Sequence, residues 1–236
     1  ARPVTLHRFV RYQLLTPDVP AARAVYTQPL GPDLWGEDVR LSTLPEQARA
    51  RGARPHFRGH LAVDDVELAL TAWCARGATP LGPLVRDAAG VVRSGLREPA
   101  GAVLSLSSEP APPSRGLVVW HALHATNETQ AFAPYRELLG WVPLARRDLG
   151  AEQGVHQLFA WDDEGPARGS VSNLALRPEV HRQWLFFFAV SDLERSLAAV
   201  REAGGLTLPP VHFEDGRLAA GCDDPQGAAF GLLQTP

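Results

Sequence analysis

The stretch VDDVELALTAWCARGATPLGP, residues 63–83, is followed by EPAGAVLSL at 98–106, and the same succession returns later in the chain. There, VSDLERSLAAVREAGGLTLPP covers 190–210 and DPQGAAFGL covers 224–232. The aspartate and glycine landmarks of the first stretch recur after 127 residues, whereas the prolines of the two closing segments are 126 residues apart. A deletion of one residue therefore separates two copies of one long segment.

The segments upstream of these copies also match each other. RFVRYQLLTPDVPAARAVYTQPLG at 8–31 returns as LVVWHALHATNETQAFAPYRELLG at 117–140. Within them, Tyr26 and Tyr135 are 109 residues apart. The chain is a tandem duplication, so we expect its structural and functional features to come in pairs.

Each copy predicts two units of strand, helix and short strands. Alternating apolar residues indicate the strands, and a capping Asp or Asn precedes each helical pattern. The predicted caps are Asp18, the pair Asp64-Asp65, Asn127 and Asp192. Prolines are expected to stop the first helix at Pro29 and to kink or shorten the third at Pro134. The sequence thus predicts an α+β fold of four tandem βαβββ modules.

The first module is predicted to be shortened. From Gly31 to Phe57 there are 26 positions, against 44 from Gly140 to Trp184, a difference of 18. That difference has room for about two strands with their turns. The proline-rich PAPPSRG at 110–116 predicts a linker between an N-terminal domain at 1–109 and a C-terminal domain at 117–236.

Composition excludes several classes of protein. The apolar share of 45% is enough to build cores. The 23 basic and 26 acidic residues are spread along the chain with a net charge of −3, so no nucleic-acid partner is expected. No apolar run reaches the roughly 20 residues that span a bilayer, so we expect no membrane partner and a cytoplasmic location. The chain contains no lysine, which excludes Schiff-base chemistry.

The repeated capped helices, the DPxGAxF closing strand and WHALHATN…PYRELLGW at 120–141 resemble the vicinal oxygen chelate superfamily. That superfamily includes glyoxalase I, bleomycin resistance proteins and extradiol dioxygenases. More narrowly, the chain is similar to its two-domain glyoxalase/bleomycin resistance members. The resemblance implies paired modules whose curved sheet surrounds a small-molecule cavity, often with a divalent metal at its centre.

The resemblance also indicates where metal ligands would stand. Enzymes of the superfamily place His or Glu on the first and last strands of the modules, at positions that correspond here to Arg11, Arg58, Ser105, Trp120, Leu185 and Gly231. Arginine has no lone pair to give, and tryptophan, leucine and glycine side chains cannot ligate. We therefore expect no cofactor. A register shifted by one or two residues would make His60, His124 and His212 the nearest substitutes, which keeps a divalent metal as the alternative.

Two sets of residues are predicted to line ligand-binding faces. In the first half, alternation along the strands predicts one inward-facing set that would suit an anion. Its members are Arg11, Gln13, Arg58, His60 and Ser105. The alternative is that these arginines are solvated or pair with carboxylates. In the second half, the predicted lining comprises Trp120, His124, Trp161, Asn173, Phe187 and His212. These residues suit a planar organic molecule, or else form a packed aromatic core.

The function predicted from these observations is metal-free binding of a small organic molecule in the C-terminal domain. The sequence does not decide whether the protein is an enzyme. The alternative is a divalent-metal-dependent lyase, isomerase or dioxygenase, and a third possibility is a scaffold whose cavities are filled by side chains. A monomer or a homodimer is expected.

Overall fold

Four modules follow one another along the chain, in a computed structural model that describes residues 7–213 and 215–235. Module 1 contains β1 (Phe9–Thr16), α1 (Val19–Leu30), β2 (Val39–Thr43) and α2 (Glu46–Ala50). Module 2 contains β3 (His56–Ala62), α3 (Val66–Cys74), β4 (Thr79–Pro80), β5 (Val85–Arg86), β6 (Val92–Arg97) and β7 (Val103–Ser107). Module 3 contains β8 (Val118–His124), α4 (Glu128–Leu139), β9 (Val142–Asp148), β10 (Val155–Ala160) and β11 (Gly169–Ser172). Module 4 contains β12 (Gln183–Val190), α5 (Leu193–Glu202), β13 (Leu206–Thr207), β14 (Val211–His212), β15 (Leu218–Asp223) and β16 (Ala229–Gln234).

The predicted helix caps are confirmed. In each of α1, α3, α4 and α5 the capping side chain accepts a hydrogen bond, at 2.9–3.0 Å, from the backbone N–H three residues later. These caps are Asp18, Asp65, Asn127 and Asp192. Each satisfies one of the N–H groups that a helix start leaves without an internal partner.

Neither proline ends its helix, and the kink expected at Pro134 stays a prediction. Helix α1 continues past Pro29 to Leu30, and α4 runs for 12 residues with Pro134 inside it. A proline removes one hydrogen bond to the carbonyl four residues earlier. For Pro134 that carbonyl belongs to Gln130, which is exposed, so water can satisfy it. Pro29 lies in the last turn, where few hydrogen bonds depend on it.

Module 1 is shortened as predicted. Between Gly31 and Phe57 it has one strand, β2, where module 3 has three between Gly140 and Trp184. The short helix α2 and a 3-10 turn at Pro32–Leu34 occupy the remaining length, and neither was predicted. Another 3-10 turn, at Leu174–Leu176, follows β11 in module 3. The α+β fold of four modules with a shortened first module is therefore confirmed.

The chain divides into two compact units, and each takes segments from both copies of the repeat. Unit 1 contains the described residues of 7–10, 59–111 and 121–184, which is most of modules 2 and 3. Unit 2 contains the described residues of 11–58, 112–120 and 185–235, which is most of modules 1 and 4. The predicted boundary at 110–116 stays a prediction.

In unit 1 each module contributes one set of paired strands. The order in module 2 is β3-β7-β6-β4, with β5 also on β6, and in module 3 it is β8-β11-β10-β9. The first and last strands of each module run parallel, and the others pair antiparallel. Aromatic side chains fill much of this core, namely Trp73, Tyr135, Trp141, Phe159, Trp161 and Trp184.

In unit 2 the order in module 4 is β12-β16-β15-β13, with β14 also on β15, and in module 1 β1 pairs with β2 in parallel. Helices α1 and α5, one from each repeat, pack together. The core contains Tyr26, Phe57, Phe186, Phe188 and Phe230. Across the described parts of the chain, none of the helices is both long enough and apolar enough to cross a bilayer. The expected cytoplasmic location stays a prediction.

Candidate functional site

Trp120, on β8, is the centre of an aromatic and cationic cluster in unit 2. Its ring centroid lies 5.2 Å from that of Phe213, with the ring planes at 73°. The guanidinium of Arg217 lies 5.6 Å from the Trp120 ring and 5.2 Å from the Phe213 ring. Phe213 and Arg217 belong to the hairpin that joins β14 to β15, which we call the flap (the described residues of 211–218). The flap leaves only 4% of Trp120 exposed.

The flap also carries the charges that face this cluster. Arg217 donates from Nε to Asp215 Oδ2 at 2.8 Å. Its guanidinium lies over two aromatic faces at the same time, a geometry that stabilises a cation by about 0.5–2 kcal/mol for each ring. An aromatic plane beside a guanidinium is suited to a flat molecule that carries a negative charge.

Phe187 and Gly231 lie opposite each other on β12 and β16. The Phe187 ring fills the space beside the glycine, because a Cβ atom built on Gly231 would lie 2.3 Å from that ring. Leu185, two residues earlier on β12, is buried. The rings of Trp120 and Phe187 are thus packed against protein atoms.

The residues present do not fit a divalent metal at the positions that the resemblance indicates. In unit 2 these positions hold Trp120, Leu185 and Gly231, whose side chains have no atom that can ligate a metal. The Phe187 ring fills the space beside the glycine. Arg11 and Arg58 are also in unit 2. Burial lowers the pKa of Arg58, but its guanidinium still has no lone pair to give to a metal. Within the described ranges no group of three or more His, Cys, Asp or Glu is placed to hold a metal ion.

His124 lies at the end of β8 in unit 1, and β11 separates it from His156 on β10. Both residues stand opposite Ser172 of β11, so their side chains share one face. Burial, with a smaller contribution from His156, lowers the pKa of His124 to about 4. The predicted ligand-binding role of His124 stays a prediction, and the structure adds a histidine and serines beside it.

The other predicted site residues lie in different surroundings. Trp161 packs in the aromatic core of unit 1, 4.6 Å from Trp141 between ring centroids. Asn173 lines a cavity of about 420 Å³ in unit 1 and accepts a hydrogen bond from the Val155 N–H at 2.8 Å. His212 is exposed on β14.

In the first repeat, the predicted anion-binding set divides between the units. His60 is buried in unit 1 opposite Ser105. Arg11 is buried in unit 2, and Gln13 donates to Ser42 Oγ at 2.9 Å. The described cavities in unit 1 include one of about 230 Å³ between α3 and α4, away from these side chains.

Sequence reasoning missed Phe213, Arg217, His156 and Ser170. Asp215-Gly216 is a strong hairpin dipeptide, so the sequence did contain a signal for the flap. For His156 and Ser170 no local signal exists, because strand pairing brings them together from separate parts of module 3.

A scan against protein-family models and a search of the curated proteins gave no match. Solved structures do match. The 2,3-dioxygenase LapB from Pseudomonas sp. KL28 is 12% identical, with 97% of this chain and 92% of that chain covered and a TM-score of 0.63. A mutant of 4-hydroxymandelate synthase from Streptomyces coelicolor is 12% identical, with 97% and 92% covered and a TM-score of 0.62. The Mn(II)-bound glyoxalase from Novosphingobium aromaticivorans is 15% identical, with 97% and 81% covered and a TM-score of 0.57.

These likenesses show that the chain has the fold shared by glyoxalases and ring-cleaving dioxygenases. It is the fold of the vicinal oxygen chelate superfamily, and the resemblance predicted from the repeated motifs is confirmed. At 12–15% identity the likeness extends to the fold alone. The side chains of this protein must therefore supply the argument for its function.

Proposed function

We propose that the protein binds a small, planar organic anion in the second repeat, without a metal. The observation that carries the proposal is the contact of Trp120 in unit 2 with the edge-to-face ring of Phe213 and with the guanidinium of Arg217. Phe213 already occupies the place that a flat ligand would take beside Trp120. A ligand displaces this ring as the flap opens, stacks on the indole, and pairs its negative charge with Arg217.

The energetic balance favours exchange of one ring for another. Phe213 is partly buried, so moving its ring into water costs less than the ~1.5–3 kcal/mol of a fully buried side chain, and a ligand ring that takes its place recovers a similar amount. The charge of the ligand adds a hydrogen-bonded ion pair with Arg217, whose Nε is at present bound to the exposed Asp215. This balance predicts a ligand that has both a ring and an anionic group.

The test is ligand-detected NMR with a panel of aromatic carboxylates such as benzoate and salicylate, in buffer containing a chelator. We expect binding to be lost or weakened at least tenfold in Trp120→Leu and in Arg217→Gln. Trp35→Leu is the matched control, because Trp35 packs on Tyr26 elsewhere in unit 2. Equal binding by Trp120→Leu and the wild type would contradict the proposal.

The alternative, a divalent-metal-dependent lyase, isomerase or dioxygenase, is tested by elemental analysis of tag-free protein. The protein is exposed to Mn²⁺, Fe²⁺, Zn²⁺ and Ni²⁺ and then desalted. We expect no stoichiometric retention, because Trp120, Leu185 and Gly231 offer no ligand atoms. Retention of one ion per chain would favour the enzyme, with ligands at positions other than these.

A further inference from the structure

Three neighbouring strands of unit 1 bring a serine and two histidines to one face. His156 on β10 and His124 on β8 both stand opposite Ser172 of β11, which lies between them. Ser170 is two residues before Ser172 on β11 and therefore points the same way. The Nδ1 atom of His156 lies 3.2 Å from Ser170 Oγ.

The second ring nitrogen of His156 decides the direction of that hydrogen bond. Its Nε2 lies 2.7 Å from the carbonyl oxygen of Gln153. A carbonyl only accepts, so Nε2 carries the ring proton and Nδ1 keeps its lone pair. The Ser170 hydroxyl therefore donates to Nδ1. A serine hydroxyl, a basic nitrogen and a group that orients the base are the parts of an activated nucleophile.

Burial keeps this histidine in the basic form. It lowers the pKa of His156, and the hydrogen bond to the Gln153 carbonyl and the nearby Glu128 oppose part of that effect. The ring is thus neutral at neutral pH and able to take a proton. A neutral base is what the activation of a serine requires.

His124 supplies a candidate donor at the same face. Its Nδ1 is buried and, among the described residues, has no hydrogen-bond partner. A buried ring nitrogen without a partner is costly unless something else satisfies it. An N–H at this atom would be available to an oxygen that gains negative charge during a reaction.

We propose that Ser170, His156 and His124 form a metal-independent centre for acyl transfer from small esters. The Ser170 oxygen bonds to the acyl carbon as its proton passes to His156 Nδ1, and His124 donates to the acyl oxygen. The bond from carbon to the alcohol oxygen then breaks, and the departing alcohol takes the proton from His156. Water attacks the acyl carbon and gives a proton to His156, the bond from carbon to the Ser170 oxygen breaks, and His156 returns the proton to that oxygen as the acid leaves.

The surroundings of the serine limit the substrate. Only 3% of Ser170 is exposed, so a substrate reaches it only when neighbouring side chains move, and we expect the smallest acyl groups, such as acetyl, to react best. Longer acyl chains would have to displace side chains around the serine.

The first test is covalent labelling of the full chain with a small phosphonofluoridate, mapped by peptide mass spectrometry. The serine oxygen bonds to phosphorus, fluoride leaves, and His156 takes the proton. We expect one adduct, on Ser170, and at least a tenfold slower reaction in His156→Gln. The control is Ser94→Ala, which removes another buried hydroxyl of unit 1, one that lies on β6, and leaves the labelling unchanged.

Hydrolysis of 4-nitrophenyl acetate provides a second measurement. We expect Ser170→Ala to abolish it and His124→Phe, which keeps the ring volume, to slow it by about 10²-fold through loss of the donor. The rate should rise with pH to a plateau reached below the ordinary histidine pKa. Ser170→Cys tests the same geometry if the alanine variant does not fold, because His156 should accelerate its alkylation. An unlabelled Ser170 in folded wild-type protein, or labelling that is unchanged in His156→Gln, would overturn the proposal.

Discussion

Asp224 and Glu98 occupy equivalent positions in the two repeats, yet their carboxylates have different neighbours. Asp224 accepts hydrogen bonds from the backbone N–H groups of Gln226 and Ala228 and from the Tyr26 hydroxyl, at 2.9–3.0 Å. Glu98 accepts from the N–H groups of its own turn. In its unit the equivalent tyrosine, Tyr135, accepts from Trp184. Both carboxylates anchor their turns, and only Asp224 has a tyrosine donor.

The burial of Glu98 makes stability depend on pH. With 2% of the residue exposed, burial raises its pKa from 4.5 to about 7, against the opposing effect of the backbone hydrogen bonds. A raised carboxyl pKa contributes stability that is fully present below pH 4.5 and is lost as the pH rises through about 7. The loss amounts to about 3 kcal/mol at most.

We therefore expect Glu98→Gln to flatten the change of unfolding free energy between about pH 5 and pH 8. Urea unfolding at several pH values measures this slope. Glu164→Gln, at an exposed carboxylate of the same unit, is the control and should leave the slope unchanged. An unchanged slope in Glu98→Gln would contradict the assignment.

Single residues show how far the sequence could predict the site. Alternation along β8 correctly placed Trp120 and His124 on one face, because period-2 geometry is local. The partners of these residues, Phe213 and His156, come from other strands that local patterns do not connect to β8. The sequence therefore predicted candidate residues, but not the two clusters they form.

The pairing of β12 with β16 depends on a glycine. Alanine at Gly231 would bring its Cβ to 2.3 Å from the Phe187 ring. We expect Gly231→Ala to lower the free energy of unfolding by about 1–3 kcal/mol, since the ring must move out of a packed face. Chemical denaturation with tryptophan fluorescence measures the change.

Gly221 is the matched control for that variant, because it pairs directly with Gly231 on β15. A Cβ at Gly221 would meet only the Leu208 side chain, at 3.3 Å, and Leu208 is exposed. Gly221→Ala should change stability by less than about 0.5 kcal/mol. Equal effects of the two substitutions would show that the Phe187 contact does not decide the cost.

Most elements were predictable because their signals are local. Capping residues located the four long helices, and counting residues between landmarks revealed the two strands missing from module 1. The short helix α2 has too few residues to show a helical period. The continuation of α1 past Pro29 to Leu30 also escaped prediction, because few hydrogen bonds depend on a proline in the last turn of a helix.

At the scale of the whole molecule, the two compact units interleave the two repeats. The duplication shows which modules are equivalent, and the structure adds that module 2 packs with module 3 and module 1 with module 4. Helix α1 of the first repeat packs on α5 of the second, and α3 packs on α4. A repeat in a sequence does not reveal such pairing, because it depends on contacts between distant segments.

This interleaving predicts that the halves of the chain depend on each other. We expect residues 1–111 and 112–236, expressed separately, to lack cooperative thermal unfolding, because each holds only part of each unit. Mixing the two fragments during refolding should restore the transition seen by circular dichroism. Independent, cooperative folding of each fragment would instead support separate domains divided at 110–116.

The ring of Phe187 over Gly231 has an evolutionary consequence. A mutation that places an acidic residue at 231 would, on its own, displace the ring, and a mutation that shortens Phe187 would leave an empty space. Each single step costs stability, and an acidic residue at 231 would still have no second metal ligand at Trp120 or Leu185. We therefore expect positions 187 and 231 to change together in evolution, because neither is free to change alone.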